Sequence, residues 1–331
     1  MVARKIKIVN FVTAALDNFV SVVSTVTGRN EMALRIIKAT EPMTIQNIVL
    51  TIYAQPGLGK TSLSFTADKP LMLDFDRGSY RSQNRGDAVP VQQWKDVEAM
   101  TATDLEPYHT IIVDTAGRAL DALSTDIING NPKMGKNGNL SLQGYGELKG
   151  RFSRWQNFLR SLGKDLVLVC HMEEQKNGDD LLERIDAQGS SKNEIYKSSD
   201  AMCRIQILAD GSRVLNFDPR EGGFGKNPAQ LPKLPFVHPA QNPHFLADVI
   251  AQIKESINRL TEAQAKEKQE SEAWQAAVNE VATLDEVNML VRIAVERQLD
   301  AAKKGLLSAK ASDLGFTFDK ASNSYVEGVK A

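Results

Sequence analysis

The chain has 331 residues, enough for one large domain or two, and its 40 basic and 41 acidic side chains leave a formal net charge of −1. The 42% of hydrophobic and 24% of charged residues are typical of globular proteins and exclude a disordered or collagen-like chain. A near-zero charge also means that any contact with nucleic acid must depend on a local basic patch. The two cysteines, Cys170 and Cys203, lack metal-ligand spacing and favour a reducing, cytoplasmic compartment.

Residues 1–31 form a segment that is basic at its start and then rich in Val, Phe and Ala. Asp17 and Asn18 interrupt the apolar run, which stays shorter than the roughly 18 residues that span a bilayer. We therefore expect an N-terminal extension rather than a signal peptide or a membrane anchor, and no membrane partner. Met32 is an alternative start of the folded part.

Buried strands alternate with helices through the first two thirds of the chain. Continuous apolar runs predict strands at residues 48–53, 71–75, 109–114 and 166–170. Helices are predicted at residues 60–66, 119–128 and 148–162. Residues 201–208 and 212–217 predict a hairpin that turns at Asp210 and Gly211. This alternation predicts an α/β fold with a mostly parallel sheet, finished by an antiparallel pair.

Composition changes after the predicted hairpin. Residues 219–243 contain six of the 12 prolines, which predicts an extended segment. Helical periodicity then returns at 245–260 and 274–295, and the charged stretch between them fits either a solvated helix or a linker. The predicted organisation is an extension at 1–31, an α/β core at 32–218, an extended segment at 219–243 and a helical C-terminal region at 244–331.

A glycine-rich turn joins the first strand to the first helix. Its sequence at residues 54–61, Ala-Gln-Pro-Gly-Leu-Gly-Lys-Thr, matches the P-loop pattern G-x-x-x-x-G-K-[ST] except for Ala54 in the first position. In a P-loop, backbone N–H groups surround phosphate oxygens, the lysine reaches the β and γ phosphates, and the threonine hydroxyl faces Mg²⁺. We therefore predict ATP and Mg²⁺ as ligands. The predicted nucleotide-binding residues are Gln55, Pro56, Gly57, Leu58, Gly59, Lys60, Thr61 and Ser62.

Three polar residues follow other buried strands, at the sheet edge where ligands of α/β proteins bind. Asp114 is predicted to hold Mg²⁺ together with Thr61, although it also suits a helix cap. Asp76 is the candidate general base for water, or else a residue that shapes a turn. His171 is the candidate contact to the γ-phosphate, or else a histidine that is satisfied at a strand end. With Lys60, these residues form the predicted catalytic set.

Residues 129–155 are the predicted contact for single-stranded DNA. The stretch is rich in glycine and asparagine, which predicts a flexible loop, and it contains a single acid, Glu147. The predicted contacts are Lys133, Lys136, Tyr145, Lys149, Arg151 and Arg154. Cations bind phosphates and an aromatic ring stacks on a base, so this combination suits single strands. The alternative is a solvated surface loop.

The motifs, in this order along the chain, resemble a known family. The P-loop, Leu-Asp-Phe-Asp-Arg-Gly at 73–78, Ile-Ile-Val-Asp at 111–114 and the strand that ends at His171 are similar to the RecA-type ATPase core. Within that group, they most resemble the phage nucleotide-binding proteins of the Sak single-strand-annealing subgroup. Tyr-Gly-Glu-Leu at 145–148 and the glycine-rich turn at 222–226 add to this resemblance.

The resemblance covers about residues 34–235, and Ala54 departs from it, as does the helical C-terminal region. It implies a RecA-like core that hydrolyses ATP and acts on single-stranded DNA in phage recombination, annealing or repair, inside a bacterial host. It also implies a homo-oligomeric ring or filament, with a single-strand-binding protein as a further partner. A basic residue from the neighbouring subunit would complete each site, and Arg220 or Lys226 would take that role.

Two rival functions stay open at this point. Residues 114–118, Asp-Thr-Ala-Gly-Arg, also resemble the D-x-x-G switch of signal-recognition GTPases. A GTPase of that type needs an Asn/Thr-Lys-x-Asp motif to recognise guanine, and the fourth strand is followed instead by His-Met-Glu at 171–173. The other rival is an interaction protein that binds ATP without hydrolysing it.

Overall fold

The computed structural model describes residues 36–328 except 83, 178–179, 188–190 and 220–222. The predicted extension at 1–31 and the alternative start at Met32 lie outside the described residues. The chain divides into two compact units. One is Thr44–Asn258, and the other combines residues up to Met43 with Arg259–Ala331. The candidate site lies wholly in the first unit.

Nine strands of the described residues form one sheet in the first unit, in the order β11-β10-β9-β1-β7-β4-β2-β3, with β8 paired to β7. These strands are β1 (Val49–Ala54), β2 (Pro70–Asp74), β3 (Asp87–Pro90), β4 (Thr110–Asp114), β7 (Asp165–Asn177), β8 (Asp180–Ile185), β9 (Ala201–Ile207), β10 (Arg213–Asn216) and β11 (Leu234–Pro235). Two-residue strands β5 (Gly135–Lys136) and β6 (Asn139–Leu140) pair separately. The pairs from β9 across to β3 are parallel, whereas β9 with β10 and β10 with β11 are antiparallel. The predicted mostly parallel α/β fold is confirmed.

Helices cover both faces of the sheet because the residues of each central strand alternate between two apolar cores. The helices of this unit are α1 (Lys60–Ser64), α2 (Trp94–Glu98), α3 (Ala102–Leu105), α4 (Ala116–Gly130), α5 (Leu142–Ser161), α6 (Lys192–Ser198) and the first part of α7 (Phe245–Glu280). On one face, Tyr53 lies in the core that α4 and α5 complete. On the other, Ile52 lies in the core that α1 and the start of α7 complete. The parallel strands therefore end together at one polar edge.

The structure adds elements that the sequence did not predict. Strand β7 continues past His171 to Asn177 and pairs antiparallel with β8, from Met172 opposite Ile185 onwards. Strand β3 and helices α2, α3 and α6 were also not predicted. Each of these elements is short or polar and has no periodic apolar pattern from which it could be predicted. Each is stabilised instead by contacts with distant parts of the chain. The stretch 261–273 is a helical part of α7, which resolves the alternative of a linker.

Gly225, in the glycine-rich stretch after β10, lies close to buried backbone. A Cβ atom added to Gly225 would lie 2.2 Å from the carbonyl oxygen of Phe217. We expect Gly225→Ala to lower the free energy of unfolding by about 1–3 kcal/mol, because backbone atoms must move apart. Gly146→Ala is the control, since its Cβ meets nothing within 4 Å on helix α5 and should stabilise the helix by about 0.5–1 kcal/mol. Urea denaturation measures both, and equal midpoints would contradict this packing.

The second unit has its own small apolar core, built around Trp274, Leu290 and Leu307. It contains the later part of α7, α8 (Leu284–Glu296), α9 (Ala301–Asp313) and the hairpin of β12 (Phe316–Asp319) with β13 (Ser324–Glu327). Helix α8 begins with a capping box between Thr283 and Glu286. The described part of the chain includes no helix that is both long enough and apolar enough to cross a membrane.

Candidate active site

A cavity of about 520 Å³ opens at the carboxyl ends of β1, β2 and β4 and beside His171, within β7. It is lined by Pro56, Gly57, Gly59, Lys60, Thr61, Ser62, Asp76, Gly78, Arg81, Ser82, Asp114 and His171. Six of the predicted P-loop residues therefore share one cavity with Asp76, Asp114 and His171. Gln55 and Leu58 belong to the same turn but do not line the cavity. The parallel register brings the predicted catalytic set together from sequence positions more than 100 residues apart.

The P-loop backbone needs its two glycines but not a glycine at position 54. Gly57 and Gly59 have φ angles of 81° and 91°, in the left-handed region that side chains disfavour. Gly59 is the N-cap of helix α1, so N–H groups at the start of this helix face the cavity. Ala54 is the last residue of β1, and its methyl group is buried in the core beside α1. The departure from the P-loop pattern therefore leaves the turn intact.

The ammonium group of Lys60 lies against the backbone at the start of the P-loop turn. The side chain is 6% exposed, and Nζ donates hydrogen bonds to the carbonyl oxygens of Ala54 (2.9 Å) and Gln55 (3.0 Å). Burial lowers the pKa of Lys60, while the negative charge of Asp114 opposes that shift. A phosphate in the cavity would favour the charged amine further, so Lys60 is suited to bind one.

Thr61 and Asp114 are joined by a short hydrogen bond in the cavity. The hydroxyl of Thr61 donates to Asp114 Oδ2 over 2.6 Å, and Asp114 is 5% exposed. Burial raises the pKa of Asp114, and the negative charges of Asp76 and Asp74 add to that effect. A divalent cation would relieve this unfavourable concentration of negative charge.

The donor set at this position fits Mg²⁺. One hydroxyl and one carboxylate oxygen lie next to each other, and Mg²⁺ usually takes only one or two protein carboxylates besides water and substrate phosphates. Within the described residues, no group of three or more His, Cys, Asp or Glu side chains is arranged to hold a metal ion. The pair therefore matches a Mg²⁺ site that a nucleotide would complete.

Asp76 and His171 are in contact across the cavity. His171 Nε2 lies 3.1 Å from Asp76 Oδ2, and Thr115 donates to Asp76 Oδ1 over 3.4 Å. The hydrogen bond from His171 lowers the pKa of Asp76, and the positive charge of Arg118 acts in the same direction. The carboxylate is thus held ionised and keeps free lone pairs that can accept a proton.

Asp74, the last residue of β2, has a different role from Asp76, two residues later. Its carboxylate accepts hydrogen bonds from the backbone N–H groups of Gly78 (3.0 Å) and Ser79 (2.9 Å). These bonds fix the turn after β2, and Asp74 does not line the cavity. The turn therefore takes up the carboxylate of Asp74, whereas that of Asp76 lines the cavity.

The structure adds polar residues that the sequence did not assign to the site. Arg118, in the first turn of α4, has Nε 3.7 Å from Asp76 Oδ1. Arg81 and Ser82 line the cavity from the short 3-10 helix Ser79–Arg81 and the residue after it. The sequence could have indicated Arg118, because it follows Asp114 by four residues in a strand-to-helix turn. The positions of Arg81 and Ser82 depend on the path of a loop, and no sequence pattern indicated them.

The predicted trans-acting residues do not gain support from the structure. Arg220 lies outside the described residues. Lys226 donates from Nζ to the carbonyl oxygen of Ser199 over 2.7 Å, and its backbone bridges to Met202. This hydrogen bond gives the Lys226 side chain a partner within its own chain, and its contact with a neighbouring subunit stays a prediction.

The predicted DNA-binding stretch is an ordered part of the fold. Residues 142–161 form helix α5, and β5 and β6 form a short hairpin before it, so the expectation of a flexible loop is wrong. Tyr145 is half-buried and packs against the core. Arg151 is only 15% exposed, forms an ion pair with Glu98 and lies 2.7 Å from Asp126, which corrects its prediction as a free phosphate contact. Exposed cations remain at Lys133, Lys136, Lys149 and Arg154.

A family model described as an AAA domain matches residues 46–229, which is more than half of the chain. The match begins just before β1, includes the whole cavity lining and ends before α7. No curated protein matches the chain.

Proposed function

Because the chain belongs to the AAA domain family of P-loop NTPases, we propose that it binds ATP with Mg²⁺ and hydrolyses it, with Asp76 as the base that activates water. The observation that carries this proposal is the position of the Asp76 carboxylate. It lies in the same cavity as Lys60 and the Thr61–Asp114 pair, and its contact with His171 keeps it ionised.

The proposed reaction is the transfer of the γ-phosphoryl group to water. The water oxygen forms a bond to the γ-phosphorus, the bond from that phosphorus to the bridging oxygen breaks, and ADP leaves. Asp76 accepts the proton that the water loses. Lys60 stabilises the charge on the phosphate oxygens, and His171 holds Asp76 in place. Bound Mg²⁺, held by Thr61 and Asp114, would neutralise charge on the β and γ phosphates.

We further propose that the protein acts on single-stranded DNA in phage recombination, annealing or repair in the cytoplasm of a bacterial host. The support is the resemblance to the Sak subgroup together with the exposed cations near α5. Lys133, Lys136 and Lys149 are all exposed, whereas Arg154 lies 3.6 Å from Glu147. Homo-oligomeric assembly and a single-strand-binding partner belong to the same proposal. Here the phosphates of the strand would supply most of the affinity.

ATP hydrolysis titrated with single-stranded DNA, with double-stranded DNA and without DNA tests the two parts together. We expect Mg²⁺-dependent turnover that single strands stimulate more than duplex does. ATP binding without turnover under all three conditions would instead identify a non-hydrolysing interaction protein. GTP turnover that exceeds ATP turnover would favour the GTPase alternative.

Replacing Lys133, Lys136 and Lys149 with Ala should weaken single-strand binding. Each lost phosphate contact lowers the slope of log affinity against log salt by about 0.7, so three contacts give a slope smaller by about 2. Fluorescence anisotropy with an oligonucleotide at several salt concentrations measures this slope. A matched triple variant, Lys95→Ala, Lys197→Ala and Lys266→Ala, removes the same charge from other exposed positions. Equal slopes for the two triple variants would place the contact elsewhere.

A further inference from the structure

The second unit contains an apolar groove of about 460 Å³ between helices α8 and α9 and the hairpin of β12 with β13. Its walls are Val291 and Val295 of α8, Leu307 of α9, and Phe318 and Tyr325 of the hairpin. Val295 is 54% exposed and Phe318 is 41% exposed, so two apolar side chains face solvent at the same opening. We propose that this groove, the α8–α9 groove, docks a peptide segment of another protein that carries large apolar side chains beside an acidic group.

Hydrogen bonds hold the walls of the groove in place. Asn288 of α8 donates from Nδ2 to the carbonyl oxygen of Tyr325 over 2.9 Å, and its Oδ1 accepts from the N–H of the same residue over 2.7 Å. Trp274 Nε1 donates to the carbonyl oxygen of Lys303, in the first turn of α9, over 2.8 Å. The rings of Phe318 and Tyr325 meet edge to face with their centres 5.1 Å apart. Because the groove is formed in advance, a peptide that binds there has little protein structure to order.

Small residues keep the floor of the groove open. Gly305 lies inside α9, where a glycine weakens the helix because it loses more conformational freedom on folding than other residues do. A Cβ atom added to Gly305 would meet nothing within 4 Å, so the space in front of it is free. Ser308, three residues later, and Ala294 of α8 are also small and line the same groove. The floor therefore has room for side chains from a partner.

The charge of the groove favours an acidic peptide. Among the described lining residues, Lys304 is the only charged one, and Asn323 and Ser308 add neutral hydrogen-bond donors. The ammonium group of Lys303 lies 3.3 Å from Asp300, whereas Lys304 is exposed and has no ion pair within the described part of the chain. A carboxylate of the peptide would gain a positive partner at the rim while neighbouring apolar side chains enter the groove.

Single-stranded nucleic acid suits this groove less well, although an aromatic ring and a lysine are both present. Residues 259–328 contain nine basic and 12 acidic side chains, and this net charge of −3 repels phosphates. The valine and leucine side chains of the walls offer no hydrogen bonds to the edge of a base. The walls and the charge together therefore favour an acidic, apolar peptide.

Selection from a phage-displayed library of short random peptides, with the full chain as target, tests this proposal. We expect the enriched peptides to combine large apolar residues with Asp or Glu. Synthetic peptides of the enriched sequences, labelled with a fluorophore, then give dissociation constants by fluorescence anisotropy. The same peptides are titrated with variants of the groove.

Three variants change the groove in different ways. Val295→Asp should weaken peptide binding by roughly tenfold or more, because it places a carboxylate in the apolar wall. Gly305→Leu should have a similar effect because it fills the floor, and it should fold, since leucine favours a helix and the space is free. Lys304→Ala should weaken binding by roughly 2- to 5-fold, the usual effect of losing one exposed ion pair.

Matched controls come from the same unit. Val326→Asp adds the same charge at another exposed valine, on β13, that does not line the groove. Lys266→Ala removes an exposed lysine from α7. Both should leave peptide affinity unchanged, and urea denaturation shows that each variant folds.

Several results would overturn the proposal. Enrichment of no peptide, enrichment of basic peptides, or equal affinity for the unmodified chain and for Gly305→Leu would show that the groove does not dock an acidic peptide. Other occupants give their own results. An oligo(dT) strand that binds less tightly to Gly305→Leu would identify nucleic acid, and a dimer that this variant dissociates, seen by analytical ultracentrifugation, would identify a second copy. Peptide affinity that rises in a full chain with Phe11→Asp and Leu16→Asp would show that residues 1–31 compete for the groove.

Discussion

Lys60→Ala should abolish ATP binding and hydrolysis together. The ammonium group is the only cation that the described P-loop turn brings into the cavity, and it is fixed by the carbonyl oxygens of Ala54 and Gln55. Without it, the γ-phosphate meets the carboxylates of Asp76 and Asp114 with no positive partner from this turn. We expect turnover to fall by at least roughly 10²- to 10³-fold, the usual effect of removing one group that stabilises the transition state.

Steady-state phosphate release and calorimetric ATP binding measure the two effects. Lys95→Ala is the matched control, because it removes a lysine whose side chain is 66% exposed on helix α2. It should leave both measurements unchanged. Because Lys60 is buried, a urea denaturation curve is needed to show that the variant folds. A folded Lys60→Ala protein that still binds and hydrolyses ATP at the original rate would disprove the P-loop assignment.

The sequence was sufficient to predict which residues form the central part of the site. β1, β2, β4 and the first part of β7 contain continuous apolar runs, and the polar residue that ends such a run is expected at the edge of the parallel sheet. For this reason the strand pattern alone predicts that Asp114 and His171 lie near Lys60. The glycines of the P-loop added a backbone conformation that few other residues allow.

Contacts made between distant segments were not predictable in the same way. Arginine is a residue type that often binds phosphate, which is why Arg151 was predicted to do so. Only the packing of α5 beside α2 and α4 shows that Glu98 and Asp126 surround it. Phe236 lies in a proline-rich stretch with no periodic pattern, and the pairing of β10 with β11 places it over Gly59. Such positions depend on tertiary contacts, which local propensity does not encode.

Asp76→Asn should separate binding from hydrolysis. The amide has the size of the carboxylate and can still form a hydrogen bond with His171, so the cavity and the Thr61–Asp114 pair should persist. The amide cannot accept the proton of water, and loss of a general base typically costs about 10²- to 10⁴-fold in rate. We expect ATP affinity within threefold of the original and turnover reduced by this factor, both measured with Mg²⁺ present.

Asp74→Asn is the matched control for this prediction. It removes a carboxylate two residues away that accepts hydrogen bonds from the N–H groups of Gly78 and Ser79 in the turn, so its main effect should be a lower free energy of unfolding.

A pH series adds a readout that a structural role would not change. Because the hydrogen bond from His171 lowers the pKa of Asp76, turnover of the unmodified protein should fall only at acidic pH, below the usual range of a carboxyl group, where the base takes up a proton, and this acidic limb should be missing in Asp76→Asn. A parallel loss of ATP affinity in the variant, or full activity, would show that Asp76 is not the base. His171 would then be the next residue to test, since it lines the same cavity and contacts the same carboxylate.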